Sequence, residues 1–202
     1  QSYFKKMIAA DWDEIVFEAT YPMATIRYIS RELPVEITAN IYSPFVPLDE
    51  KKSGLPCTIY SFSVLNKSEK PVSLSIMGWV ENKVSIRSAG VNEIRRNEVL
   101  TSGKFKGVQC SVKLNGTLLQ LQEPDFGTLG IAALNGSARL NTDLQFPLSL
   151  SSFANQNEAI IEKSKDQQLL ASVNSMFQIK PKGTAEAHFS IAWYFPNLKL
   201  DQ

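Results

Sequence analysis

The chain has 202 residues, of which 44% are apolar, 21 are Lys or Arg, 20 are Asp or Glu, two are Cys and one is His. A polypeptide of this length buries roughly 70% of the surface its unfolded chain exposes, so its core requires neither a disulfide framework nor a structural metal. A formal net charge of +1 without any basic cluster excludes the concentrated Lys and Arg on which binding to nucleic acid or anionic membrane depends.

Residues 1–6 contain neither an initiator Met nor an apolar signal core, so the chain is expected to begin partway through a longer polypeptide. Residues 14–20 and 23–29 are β-rich and flank Tyr21-Pro22. The pattern then becomes strict. Val35, Ile37, Ala39 and Ile41 alternate with Glu36, Thr38, Asn40 and Tyr42, the period of two that a strand with one buried face imposes. Residues 43–56 are proline-rich and are expected to form an ordered, extended connection, because Pro cannot donate to a ladder. Further strands are expected at 57–65 and from Val72 through Leu74 and Ile76, which interleave with Ser73 and Ser75. The runs 108–114, 128–134 and 170–179 are β-rich as well. Ala185, Ala187, Phe189, Ile191 and Trp193 alternate with Thr184, Glu186, His188 and Ser190 and close the series.

Turn clusters separate these runs: residues 66–71, Asn115-Gly116, Asn135-Gly136, and residues 181–183. Each supplies the positive-φ or fixed-φ residues that chain reversal needs. Only residues 155–170 invite a helical reading, and there Glu158 and Glu162 are like charges four positions apart. A short helix or a loop excursion is expected there. The fold class is therefore all-β, an antiparallel two-sheet sandwich with at most one short helix, formed by residues 1–202 as one domain.

Chemistry is sparse along this chain. A nucleophilic triad needs an oriented base, and the single His, His188, lies on the polar face of the last strand. Zinc sites want three or four clustered ligands, which one His and two isolated Cys, Cys57 and Cys110, do not supply. The two cysteines could pair or stay free. Phosphate loops are absent, and no metal or cofactor is expected. The carboxylate pairs Asp11 with Asp13, Asp49 with Glu50, and Glu123 with Asp125 are candidates for acid-base work at a glycosidic bond or, on the plainer reading, for capping turns. Three triplets of the glycosylation type begin at Asn66, Asn115 and Asn135. Trp193 shares the face of Phe189 and Ile191 and reads as core. Trp79 stands on the parity of Ser73 and Ser75, open either to stack a sugar ring or to pack at a sheet end. No run approaches the roughly 20 apolar residues of a membrane helix, so a soluble protein, cytoplasmic or exported, is expected.

Residues 33–49 read Leu-Pro-Val-Glu-Ile-Thr-Ala-Asn-Ile-Tyr-Ser-Pro-Phe-Val-Pro-Leu-Asp, followed by Ser53-Gly54-Leu55-Pro56 and by residues 71–82 ending Gly-Trp-Val-Glu-Asn. With Tyr21-Pro22, the Glu123-Pro124-Asp125-Phe126-Gly127 turn and the closing Trp193-Tyr194-Phe195-Pro196-Asn197, this order resembles the N-terminal domain of glycoside hydrolase family 116, the β-glucosidases and non-lysosomal glucosylceramidases. The resemblance spans most of the chain, but the Gly-rich opening associated with the family is missing, so the first one or two strands are expected to be lost. It implies a β-sandwich followed by a helical (α/α)6 barrel, which would be the partner of this domain. It also implies a retaining mechanism, in which two carboxyl groups about 5 to 5.5 Å apart serve as nucleophile and acid. Both would belong to the barrel, so no catalytic residue is assigned here. The implied substrate of the parent enzyme is a β-glucoside or a glucosylceramide-like lipid. Ser43, Pro44, Phe45, Pro47, Asp49, Phe195, Pro196 and Asn197 are candidates for the contact with the barrel, because proline-flanked aromatics present apolar area at little entropic cost. Packing within the sandwich is the alternative for these residues. Other readings are a stand-alone carbohydrate-binding module, using Trp79, Tyr42, Tyr60 and His188, and a structural sandwich unrelated to sugars.

Overall fold

The computed structural model describes residues 2–88, 93–113, 121–134 and 138–198. The described residues form strands β1 (Glu14–Thr20), β2 (Met23–Ile29), β3 (Val35–Tyr42), β4 (Cys57–Asn66), β5 (Val72–Glu81), β6 (Ile94–Ser102), β7 (Phe105–Val112), β8 (Thr128–Ala133), β9 (Ala138–Asn141), β10 (Ile161–Ser164), β11 (Leu170–Ile179) and β12 (Thr184–Tyr194). They make a nine-stranded sheet in the order β1-β2-β3-β4-β12-β8-β7-β6-β10 and a three-stranded sheet in the order β5-β11-β9. Every ladder is antiparallel. This is the expected all-β sandwich of two sheets.

Hairpin connections explain the two halves of the large sheet, β1 to β4 and β6 to β8. The halves meet only because β12 inserts between them, pairing Ala187 with Phe62 of β4 and Phe189 with Ala133 of β8. Strict alternation along β12 fits that central place, with Ala187 and Phe189 buried on one side. Its inward neighbours are Val64, Ile131, Val108 and Cys110, all buried. The three-stranded sheet answers with Ile76, Val80, Leu140, Ala171, Val173 and Ile179. Burying each Val, Leu or Ile side chain contributes roughly 1.5–3 kcal/mol. The sheets approach most closely at Gly78, where an added Cβ would lie 3.0 Å from the Ile131 side chain.

Two expectations are corrected. Residues 155–170 contain no helix: they hold β10, which pairs Ile161 with Asn97 and Ser164 with Ile94 of β6, and Asn157 makes an isolated bridge with Asn141. Cross-strand pairing lets Glu162 meet Arg96 and Lys113, which relieves the carboxylate repulsion that a helix would impose. The proline-rich connection carries the one α-helix among the described residues, α1 (Glu50–Ser53), capped by the Asp49 side chain accepting from Lys52 N–H at 3.0 Å. Strands β6, β9 and β10 have no strict alternation of apolar residues. β6 turns Arg95 and Asn97 inward, both buried, so its polar residues occupy the face where a pattern reading looks for apolar ones.

Those inward polar groups belong to a network that ties the sheets together. Asn82, fully buried just after β5, donates its amide to Arg96 C=O (3.1 Å), Asn97 Oδ1 (3.0 Å) and Ser111 C=O (3.0 Å) in the other sheet. Asn97 in turn donates to Thr142 C=O at 2.9 Å. Arg95 donates to the carbonyls of Asn82, Lys165 and Gln167. At the opposite end Asn66, also fully buried, donates to the carbonyls of Lys70, Ile179 and Lys180. Replacing Asn82 with Ala removes three hydrogen bonds made by a fully buried amide and is expected to cost about 3 kcal/mol in urea unfolding. Asn40→Ala, which removes only a half-buried bond from Thr25, should cost less than about 1 kcal/mol.

Candidate functional site

Four of the six candidate acid-base carboxylates, Asp11, Asp13, Asp49 and Asp125, accept hydrogen bonds from backbone N–H groups. Asp11 Oδ2 accepts from Lys6 N–H at 2.6 Å and Asp13 Oδ2 from Arg31 N–H at 2.7 Å. Asp49 caps α1, and Asp125 accepts from Arg87 N–H (2.8 Å), Ser88 N–H (3.3 Å) and the Ser88 hydroxyl. Burial pulls the Asp125 carboxyl upward. The combined hydrogen bonds from Ser88 and Arg87 outweigh it and hold Asp125 below the usual carboxylate range. Among the described residues no three His, Cys, Asp or Glu side chains gather as a metal site.

The sequence reading set a triad aside because there is one His. The structure nonetheless assembles a hydroxyl, an imidazole and a carboxylate in order. Ser61 and His188 are cross-strand partners, with Ser61 Oγ 2.7 Å from His188 Nδ1 and Glu186 Oε2 3.5 Å from Nε2. A signal existed in the strand pairing, but not in any local motif. The array lies on the open outer face of the large sheet, in register with Thr25 and Asn40, whose side chains bond at 2.9 Å. The strand amides around it are taken up by the ladder, so no pair of converging N–H donors is left for an oxyanion. This is a polar cross-strand ladder, without the parts of a hydrolase.

The expected interface residues are brought to one end of the large sheet, where β3 and β12 end and β4 begins; Trp193 N–H donates to Pro56 C=O there at 2.9 Å. Their roles differ. Ser53 Oγ accepts from Val46 N–H and donates to Val46 C=O, both at 2.9 Å, and Asp49 N–H donates to Val46 C=O at 3.1 Å. This small cage locks residues 46–49 and leaves Leu48 at φ 65° with its side chain fully in solvent. Phe45 packs edge-on against Tyr21 with ring centroids 5.4 Å apart, both exposed. Val46 and Leu48 lie within the 43–49 segment expected at the contact, and their exposure follows from the cage. Phe195 turns inward onto the core above Gly127, whose absent Cβ would lie 2.0 Å from Tyr194 C=O. Asn197 donates to the carbonyls of Leu121 (2.6 Å) and Glu123 (3.1 Å), clasping the Glu123-to-Gly127 turn. Pro196 is exposed.

Trp79 is 44% exposed and contacts Phe146, itself 42% exposed, edge-on at 5.0 Å. Trp193, expected in the core, is 38% exposed at the end of its strand and stands outside the core cluster. Tyr60 points inward against the core and is no surface contributor. The cysteines are free. Cys110 is fully buried, its thiol pushed up to about 12 by burial, whereas Cys57 is half-buried on the outer face. Asn66 of the first glycosylation triplet is buried with its amide fully engaged and cannot accept a glycan in the folded chain. The turns and triplets at Asn115 and Asn135 lie outside the described residues. No helix among the described residues is long and apolar enough to cross a membrane.

The family model described as beta-glucosidase 2, glycosyl-hydrolase family 116 N-term, matches residues 2–202. Among solved structures, the heparan sulfate lyase HepC from Pedobacter heparinus is 9% identical, with 93% of this chain and 22% of the lyase covered, at a TM-score of 0.44. A galactose mutarotase related enzyme from Lactobacillus acidophilus is 11% identical, with 94% and 74% covered, also at 0.44. Such distant likenesses carry no inference about this chain. The chain spans about a fifth of the lyase's length.

Because Asp125 prefers its ionised form in the fold, it adds stability above the ordinary carboxylate pKa that is lost as pH falls through its lowered folded value. Asp125→Asn should therefore flatten the acid limb of a stability-versus-pH curve below about pH 4. An unchanged limb would remove Asp125 as its source.

Proposed function

The chain belongs to the N-terminal family of glycosyl-hydrolase family 116, and on that footing we propose that it is the non-catalytic accessory sandwich of a retaining β-glucosidase-like or glucosylceramidase-like enzyme. In this reading residues 1–202 are one domain, and the (α/α)6 barrel of the parent carries both catalytic carboxyl groups. The sandwich docks on the barrel and shapes one wall of the substrate cleft. The observation that carries the proposal is the locked apolar end of the large sheet. There Ser43, Pro44, Phe45, Pro47 and Asp49 frame Leu48, a fully exposed Leu in a left-handed backbone conformation.

A non-Gly residue at positive φ costs of order 1 kcal/mol, and an exposed Leu returns none of it to the isolated sandwich. Both features fit a surface completed by another body, since a pre-ordered apolar knob docks with little further loss of entropy. Phe195, Pro196 and Asn197 support that end from behind by fixing the neighbouring turn.

Leu48→Gly separates docking from folding, because Gly accepts φ 65° without strain. In the full-length parent enzyme we expect folding to be kept and KM for an aryl β-glucoside to rise severalfold. Unchanged kinetics would remove residues 43–49 from the cleft. A second reading, a carbohydrate-binding module, draws on the exposed Trp79 and Phe146 pair. Calorimetric titration with glucosides and oligosaccharides tests it: heat that vanishes in Trp79→Ala supports the module, and no heat ends it.

A further inference from the structure

The outer face of the nine-stranded sheet has two chemistries. From β2 to β12 it carries Thr25, Arg27, Thr38, Asn40, Ser61, Ser63, Glu186 and His188, the polar set that alternation puts toward water. Across β12, β8, β7 and β6 the same face changes. One rung runs Ser190, Ala132, Gly107, Leu100 and the next Ala192, Gly130, Gln109, Glu98. Four successive positions at the centre of the face thus carry nothing beyond a methyl group. They floor two adjoining hollows of about 310 and 240 Å³, walled by Leu55, Leu100, Phe105 and Tyr194. Leu55, Leu100 and Tyr194 are 51%, 47% and 63% exposed. Five strands from β6 to β4 at about 4.8 Å spacing make this trough about 19 Å wide, the breadth of a domain contact.

We propose that this trough is the seat of the catalytic domain of the parent polypeptide, an inference that rests on the accessory-domain reading and adds the face by which the sandwich is held. Small-molecule sites gather convergent polar groups in a deep hollow, whereas this floor is shallow and offers little beyond Gln109 and Ser190. The occupant follows from the family, described as the N-terminal part of a β-glucosidase, and from the chain path. Strand β12 forms the floor and leaves the sheet at Tyr194, beside Leu55 and Pro56, and residues 195–198 clasp the turn at that same end of the sheet. A body tethered at that end of the sheet meets the trough at high effective concentration, so a weak contact suffices to hold it.

Hydroxyl-radical footprinting of the full-length parent enzyme tests the assignment. Tyr194 and Leu100 should react at least about fivefold more slowly, relative to their exposure in the sandwich, than Phe17 and Trp79, because the centre of a contact is dry. Leu100→Asp should raise the rate of proteolytic cleavage between the two parts about tenfold. Leu65→Asp, an exposed Leu on the polar half of the same face, should leave it unchanged. If Tyr194 and Leu100 react as fast as Phe17 and Trp79 while the two parts stay together after the linker is cut, the trough assignment is overturned and the accessory-domain reading stands. Parts that separate freely overturn both. Protection that appears only at concentrations where the parent dimerises assigns the trough to a second copy and overturns this proposal.

Discussion

Two buried asparagine amides, one at each end of the sandwich, close the space between the sheets. A buried amide at each end of the sandwich must find acceptors, because an unsatisfied buried polar group costs of order 1–3 kcal/mol. Asn82 reaches from the three-stranded sheet to carbonyls of β6 and β7. Asn66 reaches from the large sheet to the end of β11. An amide suits this work because it presents two donors without charge, so the desolvation penalty of an ion is avoided. Arg95 is the exception, a buried cation whose burial lowers its pKa and which is held by a ring of carbonyls with Glu81 and Asp166 nearby.

With the ends closed, β12 decides the architecture of the large sheet. Its partner Phe62 lies 125 residues upstream of Ala187, so two locally folded halves become one sheet through a single long-range insertion. That insertion also creates the outer face on which a polar half and an apolar half meet. The polar half explains why Ser61, His188 and Glu186 sit together without catalysis: pairing in register brings such groups near one another, but a flat ladder has its amides engaged and offers no enclosed site.

The function proposed for this chain is therefore a matter of surfaces. The Ser53 cage holds Leu48 outward at one end of the sheet, and the small residues of β7, β8 and β12 hollow out the adjoining face. Both are apolar areas in fixed conformations, which lose little entropy when covered. Asp11, Asp13, Asp49 and Asp125, in contrast, are engaged by caps and turns, and the three donors on Asp125 hold it ionised.

By itself the sequence determined the fold class and most strands: β3, the first half of β5 and β12 are legible because alternation is a local consequence of which side meets the core, and β1, β2, β4, β7, β8 and β11 as β-rich runs. It also carried the family, through the 33–56 and 71–82 segments. Only the tertiary structure decided the rest. β6 turns Arg95 and Asn97 inward because the network needs donors there, β10 exists because an edge was available to pair, and Leu48 faces solvent because Ser53 locks its turn. The trough lies across five strands drawn from distant parts of the chain. Single glycines and alanines carry no signal along a sequence and become a hollow only when register lays them side by side.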